Sequence, residues 1–148
     1  MNAAEVLRRL QLFLLVLSLL LFAGTLLELW LVEHTEDTIQ WLAFVIAGIG
    51  LLAALLVLVR RAPATVLVMR GLMVVVIAGG LFGVYQHVTN NVAFEREIQP
   101  NATTRQLIWK GVSGANPLLA PGTLVIAGLL SLAGLYKYRV TSDVDVAP

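Results

Sequence analysis

The chain has 148 residues, 59% of them hydrophobic and 13% charged, whereas soluble domains carry roughly 45–50% apolar and about 25% charged residues. This composition is that of a membrane protein. A net charge of +1, with no basic cluster interleaved with aromatics, argues against nucleic-acid binding, and the lack of cysteine removes disulfides, thiolate nucleophiles, iron–sulfur clusters and Cys-type zinc sites.

A helix needs about 20 mostly apolar residues to cross roughly 30 Å of hydrocarbon. Four stretches meet or approach this: about Leu10 to Val32, Trp41 to Val59, Gly71 to Thr89 and Pro117 to Tyr136. None alternates polar with apolar residues, and backbone groups in lipid must be paired internally, so these stretches predict helices. Arg8-Arg9 ahead of the first run has the form of a secretory signal. The run is longer than the roughly 7–15 apolar residues of such a segment, and Leu21-Phe22 before Ala23-Gly24-Thr25 is a poor cleavage context, so a retained span is expected.

Thr35 to Thr38 forms a tight turn, in which Asp37 and Gln40 predict a capping box for the second helix. Pro63 ends any extension of that helix. If the third helix continues past the membrane surface to Ile98, Pro100 ends it. The Asn90–Asn116 connection is long for a compact bundle. Within it T-T-R-Q-L-I-W-K-G-V reads as a short interfacial helix capped by Thr103 or Thr104, with Leu107, Ile108 and Trp109 at headgroup level. Asn116-Pro117 is a cap and first-turn pair for the fourth span. Pro121 has no N–H for the carbonyl of Pro117, which needs water, a side chain or an ion instead. Residues 140–148 form a polar tail. Gly79 with Gly83, Gly50 with Ala54, and Gly128, Ser131 and Gly134 permit close helix contact, within the chain more than between copies.

Arg8, Arg9, Arg60, Arg61, Arg70, Lys137 and Arg139 flank one side, and Arg96, Arg105 and Lys110 the other. The positive-inside rule therefore places both termini in the cytoplasm. The expected fold is an all-α integral membrane four-helix bundle, one domain over residues 1–148, in the plasma or inner membrane of a bacterium.

His87, Asn91 and Glu95 recur every four residues and share one face of the third helix. The first helix is parallel to the third, so Glu28, Glu33 and His34 end on the same side. Charge inside a bilayer is costly, which makes Glu28 a functional-site hypothesis with His87 as its natural partner. One reading is an outward cation site of Glu28, His34, His87 and Glu95, with Asn91 behind the ligands. Mixed imidazole and carboxylate suits zinc, copper(II), iron or manganese better than copper(I). His34 lies too far out to serve with His87 as the axial pair of a haem b. The bland reading is a Glu28–His87 pair that only staples two helices.

No H-E-x-x-H, G-x-S-x-G or phosphate loop is present, and Ser18, Ser113, Ser131 and Ser142 have no base nearby in sequence, which argues against an enzyme. Four spans with an acidic residue, Glu28, in the first resemble the small multidrug resistance transporters, in which one such glutamate couples drug export to protons. Glu28 sits nearer the outer end than that pattern requires, and the Asn90–Asn116 segment has no counterpart there. The leading expectation is a cation-binding or accessory membrane protein. Its rivals are a proton-coupled transporter using Glu28 and His87, and a structural subunit docking on other membrane chains or on its own copies.

Overall fold

Asn2 opens the first helix by accepting the Glu5 amide at 2.9 Å, and Arg9 pairs with Glu5 at 2.7 Å one turn on. A computed structural model describes residues 2–60 and 62–137. Among these, all regular structure is helical: α1 (Ala3–Leu31), α2 (Thr38–Val59), α3 (Pro63–Ile98), α4 (Thr104–Ser113) and α5 (Leu119–Gly134). Helices α1, α2 and α3 are long and apolar enough to cross a membrane; α5 is apolar but shorter. Arg61, Arg139 and the tail at 140–148 lie outside the described residues.

Helix ends follow local chemistry. At the end of α1, Glu33 takes a left-handed φ of 51°. The Glu33 amide then reaches the Trp30 carbonyl at 3.2 Å and the His34 amide reaches that of Leu29 at 3.0 Å. This is a Schellman cap with a glutamate where glycine is usual, and it folds His34 back over the helix end. Gln40 Oε1 accepts the amides of Glu36 and Asp37 at 2.7 and 3.3 Å, fixing the start of α2. Pro63 stands in the first turn of α3, where its missing N–H costs nothing.

With 36 residues, α3 is about 54 Å long, well over the thickness of a hydrocarbon layer. The expected loop at 90–116 is therefore mostly helix, and irregular backbone is confined to short joints on either side of α4. Thr103 caps α4, donating its amide to Gln106 Oε1 at 2.7 Å. Gly111 of α4 packs on Val88 and Val92, so α4 leans back along α3.

Helix α1 packs on α2 and α5, while α3 packs on α2, α4 and α5; α1 and α3 face each other without backbone contact. Leu15, Phe22, Val57, Met69, Met73 and Val76 fill the space between them. Small residues let the helices approach. A Cβ on Gly50 would fall 2.5 Å from the Phe22 ring, and one on Gly83 would fall 2.9 Å from Pro121 Cβ. Both glycines serve contacts inside the chain. At the far end of α5 the Gln11 amide reaches the Tyr136 carbonyl at 2.6 Å, and Arg70 reaches that of Leu135 at 2.7 Å. These side chains satisfy carbonyls that a helix terminus leaves open.

Candidate functional site

The polar stripe of α3 divides into three parts. His87 comes first. Pro121 leaves the Pro117 carbonyl without a helical donor, and His87 Nδ1 lies 2.7 Å from that oxygen. A carbonyl can only accept, so Nδ1 carries the proton. In the neutral ring, Nε2 is then left with a lone pair. The partner required by Pro121 is thus a side chain, supplied from α3.

Asn91 comes one turn later and is 2% exposed. Its Nδ2 donates to the carbonyls of Gly111 at 3.1 Å and Asn116 at 3.0 Å. Its Oδ1 accepts from the Asn116 amide at 2.8 Å and from Asn116 Nδ2 at 3.1 Å. All the hydrogen-bonding capacity of the Asn91 amide is consumed. It clasps the α4–α5 joint to α3 and stands behind no ligand set. Because Asn116 and Pro117 are both held from α3, α5 begins at Leu119, two residues later than the expected Pro117 start.

His87 opens onto a cavity of about 420 Å³ among α1, α2, α3 and α5. Glu28 and His34 line it too, as do Thr25, Asp37, Gln86, Asn90 and Asn116 near its polar part. Leu29, Ile46, Phe82 and Leu124 supply an apolar floor. The rings of His34 and His87 face across it with centroids 6.3 Å apart and planes tilted by 44°. Burial, and after it the neighbouring His87, lowers the pKa of His34 below the usual imidazole value. Thr25, 2% exposed, lines the same cavity, and its hydroxyl has no hydrogen-bond partner among the described residues. Thr25 and Glu28 are three residues apart and share a face of α1.

The structure therefore brings Glu28, His34 and His87 around one space, but it does not bring Glu95 to them. Each helical residue adds 1.5 Å, so Glu95 stands about 12 Å beyond His87 along α3, where it lines a different cavity. Among the described residues no group of three His, Cys, Asp or Glu side chains could hold a metal ion. Glu28 and His87 share the cavity without forming an ion pair; the one ion pair among the described residues is Arg9 with Glu5. Sequence reasoning missed Thr25, Gln86, Asn90 and Asn116 as lining residues. Only the i,i+3 relation of Thr25 to Glu28 offered a signal. No protein-family model, curated protein or solved structure matches the chain.

Proposed function

We propose that this chain is an integral membrane protein with four spans, α1, α2, α3 and α5, whose outward-facing cavity binds a small amphipathic molecule. Exposed Phe13, Leu20, Leu27, Leu52, Leu67 and Val74 give the long helices a surface suited to lipid. The cationic ends at Arg8, Arg9, Arg60 and Arg70 favour a cytoplasmic placement of both termini. One observation carries the functional reading: Glu28, His34 and His87 open into a single cavity of about 420 Å³ with an apolar floor. Small-molecule sites occupy roughly 300–1,000 Å³ and combine apolar walls with a few polar groups.

The Glu28 carboxylate and the lone pair of His87 Nε2 accept hydrogen bonds from the ligand. Among the described residues no lysine or arginine lines the cavity, whereas Glu28 and Asp37 do, so it favours hydrogen-bond donors over anions. The test is a panel of amphipathic amines, alcohols and carboxylates, scored by the thermal midpoint of the purified protein. Stabilisation by amines or alcohols that disappears in Glu28→Gln supports the reading. A panel without effect, or an effect indifferent to Glu28→Gln, overturns it.

A second reading keeps the cation. The rings of His34 and His87, with centroids 6.3 Å apart, would supply two of the three or four ligands such a metal takes, and the bound molecule or water would supply the rest. This reading requires purified protein to carry stoichiometric zinc, copper or iron that is lost in His87→Ala.

A further inference from the structure

Glu95 lies apart from the first cavity. The residue is 4% exposed, yet no hydrogen bond or ion pair reaches its carboxylate among the described residues. Its oxygens are not among the sealed polar atoms, so the acceptor positions are open to the adjoining space, and carboxylates in such places are normally paired. Asn91, one turn below, cannot help, because both its amide hydrogens are committed to Gly111 and Asn116.

Glu95 lines a cavity of about 370 Å³ between α3 and α4, together with Lys110, Ser113, Phe94 and Ile98. Lys110 shares the space without pairing with Glu95. An acid and a base that border one cavity without touching complement a molecule bearing both an ammonium and an acidic oxygen. Depth narrows the choice. With Arg70 at the inner boundary, roughly 20 residues of helix carry the hydrocarbon layer to about Asn90. Glu95 then lies about 7 Å beyond it, within the headgroup layer. Phe94 and Ile98 are exposed apolar side chains on the rim, placed to meet the less polar part of such a molecule.

We infer that this cavity binds a primary ammonium–phosphate group, the headgroup of a zwitterionic lipid or a free molecule of the same chemistry. Glu95 accepts the N–H donors and Lys110 faces the phosphate. A quaternary ammonium has no N–H to donate, so the site discriminates against choline headgroups.

The full chain in detergent is given equimolar phosphatidylethanolamine, phosphatidylcholine and phosphatidylglycerol, and retained lipid is counted by native mass spectrometry. Phosphatidylethanolamine is retained about tenfold over the others, the ratio expected from a single charge-assisted hydrogen bond. Glu95→Gln, nearly isosteric, removes the preference, and Lys110→Gln, at an exposed position, reduces it. Thermal midpoints establish that each variant is folded; should Glu95→Gln fail to fold, Lys110→Gln decides. Millimolar phosphoethanolamine raising the midpoint of delipidated protein in a Glu95-dependent way assigns the site to a soluble ligand. Preference among lipids without that response assigns it to the bilayer. Equal retention of the three lipids with no response to phosphoethanolamine overturns the inference. So does a preference that survives in both variants.

Discussion

His87 and Pro117 are joined because Pro121 lacks a proton: the imidazole Nδ1 sits 2.7 Å from a carbonyl that α5 cannot satisfy along its own axis. The bond ties α3 to the start of α5 and fixes the tautomer that turns Nε2 into an acceptor. His87→Ala is expected to cost about 1 kcal/mol of stability, the usual net worth of one such bond. In a Pro121→Ala background the restored N–H competes for the same carbonyl, so the cost of His87→Ala should shrink. A double-mutant cycle read by thermal or denaturant unfolding checks this. Strict additivity of the two substitutions would refute the linkage.

Asn91 holds the α4–α5 joint with four hydrogen bonds from a buried position. Asn91→Ala orphans polar atoms on Gly111 and Asn116, and the expected loss is about 3 kcal/mol. Asn91→Asp keeps the acceptor but sets a carboxylate oxygen against the Gly111 and Asn116 carbonyls, so its loss should be at least as large. Hydrogen exchange should then speed up at residues 111–118 before it does in α1 or α2. Uniform exchange across all helices would contradict a local clasp.

His34 gives the fold a pH dependence whose sign is set by its lowered pKa. On acidification the unfolded chain takes up its proton near 6.5, while the folded chain resists until a lower pH. The unfolded state therefore binds more protons in that window, and stability falls as pH falls through it. Above the unfolded value the contribution is fully present. Thermal midpoints should drop between pH 7.5 and pH 5, with a smaller drop in His34→Gln. Identical profiles for the two proteins would exclude His34 as the cause.

Glu33 occupies a left-handed cap position at φ 51°, which costs an L-residue about 1–2 kcal/mol. Glu33→Gly relieves that strain but gives the unfolded chain more freedom. The net expectation is a gain of up to about 1 kcal/mol. An unfolding curve moved downward by this substitution would show that the Glu33 side chain contributes a contact beyond its backbone role.

Much of this architecture is legible in the sequence because it is local. Apolar runs mark the long helices, Pro100 marks the end of α3 at Ile98, and the Asp37–Gln40 pair and a cap at Thr103 or Thr104 mark helix starts. The spacing of His87, Asn91 and Glu95 reveals a shared face. It does not reveal what each side chain meets, since their partners are 20 to 30 residues away. The single metal site inferred from that stripe assumed that one face means one site. Eight residues of helix rise separate its ends. The orphaned Pro117 carbonyl was visible beforehand as a deficit, but its donor was not.

Helix α5 has 16 residues, about 24 Å, against a hydrocarbon layer of roughly 30 Å. Its C-terminal end is anchored by Gln11 and Arg70, so on the proposed four-span topology the shortfall would collect beside Pro117. Lipids flanking that edge would then shorten or tilt, a local thinning of the bilayer at the mouth of the cavity.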